Sequence, residues 1–160
     1  MTKLSLQLLI GDAELQAIGH VAAQWAYFET EMDSVIELLE LHESQSNNEK
    51  SDPQAFNRRI KKLRSLASDI FQGNPLSELL EILEKVSSLK KFRDDIVHGH
   101  WQLYRKNDTL TTGIAVVKRR PEYSRKKFKF TAEKAEDIAA KISEQTLKLT
   151  LWHSKYIHIG

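Results

Sequence analysis

Between Leu89 and Trp101 the chain concentrates an arginine, two aspartates and two histidines. Upstream of them Leu79, Leu83, Val86 and Leu89 recur at helical spacing. Gly99 is a natural stop for that helix, because glycine accepts the left-handed backbone that ends one. Arg93, Asp94 and His98 are therefore expected in its last two turns. Asp94 and His98 are four apart and share a face, so a carboxylate can hold the imidazole. Arg93 falls in register with the apolar stripe, where a guanidinium needs acceptors or a phosphate to bind. An imidazole able to move a proton near neutral pH, beside a planar fork of donors, suits chemistry at a phosphodiester.

The same residues have a purely structural reading. Arg93 would pair with a buried acid, for which Glu29 in the apolar stripe of the first helix is the candidate, and His98 would be a C-terminal helix residue favoured by the dipole. Positions five apart on an ideal helix point about 140° from each other, so Arg93 and His98 do not stack on one face. Either the last turn unwinds at Gly99 or a second subunit completes the site. His98-Gly99-His100 offers two imidazoles without a clear third ligand, so no metal is expected, and no cofactor. The glycines never cluster into a phosphate-cradling loop, and no Gly-x-Ser-x-Gly elbow occurs. Trp25, Trp101 and Trp152 are expected in the core.

The stretch resembles the HEPN superfamily, whose signature is an arginine, a polar residue, and a histidine after four to six intervening residues. Here these are Arg93, Asp94 and His98, with aspartate at the position where asparagine is commonest in that family. The resemblance implies a mainly-α, HEPN-like four-helix up-and-down bundle. It also implies metal-independent cleavage of single-stranded RNA. The ribose 2′-hydroxyl attacks the adjacent phosphorus, leaving a 2′,3′-cyclic phosphate and a 5′-hydroxyl. His98 would act as general acid or base, Arg93 would stabilise the phosphorane and Asp94 would orient His98. The family's motifs commonly meet across a two-fold axis, which implies a homodimer. The two functional expectations are an RNA endonuclease, serving as a toxin or defence effector under an inhibitory protein partner, and a noncatalytic HEPN-like module that binds protein or nucleotide.

The 160 residues suit a single domain spanning 1–160, with a core of ordinary size. There is no cysteine, which excludes disulfides, thiolate nucleophiles and cysteine-ligated metals. Neither a signal peptide nor a membrane span is visible, so a cytoplasmic protein with no membrane partner is expected. Net charge is +2, but its distribution is uneven. Between Leu4 and Glu49 there are nine acidic residues and no lysine or arginine. That asymmetry predicts one acidic and one basic surface, unless folding interleaves them.

The helices that position the motif follow from hydrophobic period. Asp12 looks like an N-cap, and Leu15, Ile18, Ala22, Trp25, Met32, Ile36 and Leu39 mark a long helix to about Glu43. Ser44 to Asp52 reads as a loop. Asp52 and Pro53 open a second helix that buries Phe56, Ile60, Leu63, Ala67 and Ile70 and exposes Arg58, Arg59, Lys61, Lys62 and Arg64. Gly73-Asn74-Pro75 breaks the chain before a third helix from about Leu76 to His98. A β-hairpin turning at Asn107-Asp108 is expected between the third and fourth helices, with Lys126 to Phe130 as a candidate third short strand. Lys118, Arg119, Arg120, Arg125, Lys126 and Lys127 form a basic segment suited to RNA backbone. Thr131 caps the last helix, whose buried face is Ala135, Ile138, Ile142, Leu149, Trp152 and Tyr156.

Overall fold

The computed structural model describes residues 11–43, 55–106, 109–118, 124–128 and 131–157. The elements run in the order α1 (Asp12–Glu43), α2 (Phe56–Ile70), α3 (Asn74–His98), β1 (His100–Lys106), β2 (Thr109–Lys118), β3 (Ser124–Phe128) and α4 (Ala132–Tyr156). The protein is mainly α, with four helices at the positions their periods predict. The β-hairpin insertion is corrected. Between α3 and α4 lies a three-stranded antiparallel sheet in the order β1-β2-β3, not a two-stranded hairpin. β1 pairs with β2 from His100↔Ala115 to Lys106↔Thr109, and β2 pairs with β3 from Ile114↔Phe128 to Lys118↔Ser124. The third strand, expected over Lys126 to Phe130, runs over Ser124–Phe128 and reads Ser-Arg-Lys-Lys-Phe, a charged run without alternation, as edge strands often are. The expected turn residues Asn107 and Asp108, the loop from Ser44 to Asp52, and Pro53 lie outside the described residues.

The chain divides into two compact units, Met1–Ala23 with Lys90–Ala140, and Gln24–Leu89 with Lys141–Gly160. The second unit is a four-helix bundle built from parts of all four helices. Its core takes Trp25, Phe28, Met32 and Leu39 from α1, Phe56, Ile60 and Leu63 from α2, Leu79, Leu83 and Val86 from α3, and Ile142, Leu149 and Trp152 from α4. Burying each such aliphatic or aromatic side chain contributes roughly 1.5–3 kcal/mol. Trp25 and Phe56 join α1 to α2 with ring centroids 4.7 Å apart. Trp152 fixes α4 to the start of α3 by donating its indole N–H to Pro75 O at 2.7 Å.

Charge complements this packing. Arg59 donates to Glu29 and Asp33, and Lys62 pairs with Glu40, so the acidic first helix and the basic second helix are interleaved rather than segregated. Arg59 and Lys62 are therefore not part of a purely solvated face. Two other expected burial positions shift: Leu15 and Ala22 are exposed, while Ala17, Val21, Phe28 and Val35 carry the buried stripe of α1. Ile70 is exposed and Tyr156 half-buried.

The boundaries that matter for the site have local causes. The chain leaves α2 through an extended Phe71, whose N–H still bonds Ala67 O, and turns at Gly73 with φ 64°, a left-handed backbone that favours glycine. Thr131 caps α4 as predicted, its Oγ1 accepting from the Lys134 N–H at 3.2 Å. At the end of α3 the Gly99 N–H donates an ordinary helical bond to Asp95 O before the chain enters β1.

Candidate active site at the end of the third helix

Leu79, Ile82, Val86, Leu89 and Ile96 form the buried stripe of α3, and Arg93 occupies the slot between Leu89 and Ile96. The helix carries its guanidinium partly inward, with the side chain 23% exposed. Arg93 Nη1 donates to Asp94 Oδ1 at 2.7 Å. Lys90, one turn earlier, donates to the other oxygen, Asp94 Oδ2, at 2.5 Å. One carboxylate thus serves two cations. Burial pushes the Asp94 carboxyl up, but the hydrogen bonds from Lys90 and Arg93 and their positive charge outweigh it and hold its pKa below the ordinary value.

This changes the partner expected for Asp94. Both of its oxygens are directed to cations, and the imidazole of His98 forms no side-chain hydrogen bond among the described residues. His98 is the last residue of α3 and is exposed. Glu29, proposed from sequence as the acid for Arg93, accepts instead from Arg59 Nη2 at 2.5 Å. Arg93, Asp94 and His98 do fall in the same compact unit, together with the sheet.

The imidazoles that carboxylates do hold are elsewhere. His20 Nδ1 lies 2.8 and 2.9 Å from the two oxygens of Glu136, and His153 Nδ1 lies 3.2 Å from Glu31 Oε1. No short-range signal could find these pairs, because the partners are 116 and 122 residues apart. Among the described residues no three His, Cys, Asp or Glu side chains are placed to hold a metal ion.

The basic segment is partly organised by the sheet. In backbone register Lys118 opposes Ser124, Val117 opposes Arg125, Val116 opposes Lys126 and Ala115 opposes Lys127. Lys118, Arg125, Lys126 and Lys127 therefore sit on two adjacent strands. Arg119 and Arg120 lie outside the described residues.

One polar residue escaped the sequence reading. Gln145 is buried in α4 at 5% exposure, in phase with Ile138, Ile142, Leu149 and Trp152. The signal was available: a glutamine at a stripe position where the period calls for an apolar side chain. No helix among the described residues is long and apolar enough to cross a membrane. Comparison with protein-family models, curated proteins and solved structures returned no match for this chain.

Proposed function

We propose that the protein is a metal-independent RNA endonuclease of HEPN type that cleaves single-stranded RNA by attack of the 2′-hydroxyl. The observation that carries this reading is His98. It ends a helix with an exposed ring that has no hydrogen-bond partner within the described chain, five residues after an arginine set in the helix's buried stripe. An imidazole so placed is accessible to a substrate and able to move a proton at it.

In this mechanism His98 takes the proton from the 2′-hydroxyl or delivers one to the 5′-oxygen that leaves. Arg93 stabilises the negative charge on the phosphorane oxygens, which a planar fork of donors fits. Asp94, whose carboxylate accepts from Arg93 and Lys90, fixes the direction of the Arg93 guanidinium rather than orienting His98. The products end in a 2′,3′-cyclic phosphate and a 5′-hydroxyl. DNA, lacking the nucleophile, is not cut. The basic positions Lys118, Arg119, Arg120, Arg125, Lys126 and Lys127 hold the RNA backbone without reading sequence.

Because Arg93 and His98 diverge on one helix, the site is completed in a homodimer. The biological setting that suits such an activity is a cytoplasmic toxin or defence effector restrained by an inhibitory protein. The second reading is a noncatalytic HEPN-like module that binds a protein partner or nucleotide. It is favoured by one observation, the engagement of Asp94 with Lys90 and Arg93 rather than His98.

A labelled single-stranded RNA incubated with the parent and with His98→Ala separates the two. Loss of a general acid–base group lowers the rate by about a hundredfold to ten-thousandfold. Chelator leaves the parent's rate unchanged. A parent that cuts no RNA across a varied panel, or a His98→Ala protein that cuts as fast as the parent, overturns the endonuclease reading and leaves the binding module.

A further inference from the structure

The two compact units differ in charge. The unit that holds the sheet and the end of α3 carries fourteen lysines and arginines against nine aspartates and glutamates, and the bundle unit carries ten against thirteen. The first is therefore matched to a polyanion. Its cations on β2 and β3, Lys118, Arg125, Lys126 and Lys127, suit phosphates but do not distinguish one nucleic acid from another. Two side chains at the end of α3 supply what those cations lack. Lys91 is exposed and Phe92 is 45% exposed, and neither has a side-chain partner among the described residues. Lys91 differs in this from Lys90, which Asp94 holds.

Helical geometry sets both beside His98. Lys91 and His98 are seven residues apart, so they share a face about 10.5 Å apart along the axis. Phe92 lies about 100° further round the helix, with Asp95 three residues on at the edge between them. The half-buried Asp95 carboxylate disfavours a phosphate on that strip. A strand whose backbone follows Lys91 and His98 therefore turns bases, not phosphates, to the ring. The ring is also isolated: the other exposed large apolar side chain on the helices of this unit is Leu15, on α1. A protein partner buries a contiguous apolar patch, whereas one phenyl ring among charged side chains suits the flat face of a base.

We propose that Phe92 is a stacking platform for a base of single-stranded RNA near the bond cut at His98, with Lys91 on the backbone of the same strand. The proposal rests on the endonuclease reading for its choice of RNA. It makes the preference for a single strand a property of named residues, because a base reaches the ring only after leaving its neighbours in the stack. Phe92 is a binding residue and moves no proton.

The test uses the full chain and a short fluorescent single strand of 2′-O-methyl RNA, which has no free 2′-hydroxyl and so stays intact. A strand of the same length built from abasic sugars carries the same charge without the bases. Fluorescence anisotropy gives both affinities. The parent binds the strand with bases about tenfold more tightly than the abasic one, the effect of a stacked base. Phe92→Leu keeps an apolar side chain without the ring; it loses that preference and leaves the salt dependence unchanged. Phe92→Trp keeps a ring and the preference. Lys91→Gln weakens both strands alike and lowers the salt slope by about one. Equal parent affinity for the two strands, undiminished binding by Phe92→Leu, or a Phe92→Trp protein as weak as Phe92→Leu each overturns the proposal. Cleavage of unmodified RNA is followed separately. A parent with these affinities that cuts nothing keeps this site and loses the endonuclease reading. A parent that cuts RNA while Phe92→Leu binds and cuts unchanged keeps the endonuclease reading and loses this site.

Discussion

Arg59 and Arg93 are buried to nearly the same degree, 20% and 23% exposed, yet they are organised in opposite ways. Arg59 sits on α2 and spends one Nη on Glu29 and the other on Asp33, both on α1. One guanidinium thus serves two carboxylates spaced one helical turn apart, and the ion pairs tie two helices together. At Asp94 one carboxylate accepts from two cations of its own helix, Arg93 and Lys90. The first arrangement does tertiary work. The second holds one carboxylate between two cations along a single helix. A half-buried arginine is therefore informative only with its partners in view.

The largest expected difference between the two regions is catalytic. If the protein cleaves RNA as proposed, Arg93→Lys, which keeps the charge and loses the fork, is expected to lower the rate about a hundredfold to a thousandfold. Arg59→Lys, measured in the same assay below its melting temperature, changes the rate less than about twofold, since uniform folded-state chemistry is untouched. Equal losses in the two variants would dissolve the distinction. Next in size is stability. Arg59→Ala leaves Glu29 and Asp33 facing each other without their shared cation, and destabilises the protein by about 2 kcal/mol, between the values for exposed and buried ion pairs. Urea unfolding checks this as a lower midpoint with an unchanged slope. A midpoint equal to the parent's would remove Arg59 from the account of how α2 is held.

These partnerships also show where sequence reasoning stops. Some helix limits were legible from local chemistry, but the start of α2 was not: it begins at Phe56 with Ala55 as its cap rather than at Asp52 and Pro53. The period of α1 runs to Glu43, α3 ends at His98 beside Gly99, and the Thr131 cap forms as its residue type predicts. The phase of α1 was less legible. Its first turns carry apolar residues on more than one side, so Leu15 and Ala22 compete with Ala17 and Val21 for the buried face. Charge partners were not legible at all. Glu29 and Arg59 are 30 residues apart, and which acid meets which cation is decided by the packing of α1 on α2 rather than by spacing. The same limit applied inside the motif. Helical spacing allowed Asp94 to reach His98 at i+4, but Lys90 at i−4 and the adjacent Arg93 are cations that attract it more strongly.

The smallest expected effect bears on that last competition. Asp94→Asn keeps the shape of the side chain and removes its charge. The Asp94 carboxyl is a third exposed, so the loss belongs in the surface range, about 0.5–1 kcal/mol near neutral pH. Its pH dependence has a definite sign. The folded pKa is depressed by Lys90 and Arg93 against the opposing effect of burial, so the unfolded chain takes up this proton first as acid is added. The stabilisation is fully present above the ordinary aspartate value of about 3.9 and disappears as pH falls through the lower folded value. Denaturation midpoints of parent and Asp94→Asn should therefore differ by a constant amount near neutral pH and converge as the pH falls below the ordinary aspartate range through the lower folded value. A gap that instead closed between about pH 5.5 and pH 7.5, where an ordinary histidine titrates, would return Asp94 to His98. It would make the lysine and arginine at the end of α3 bystanders to that pair.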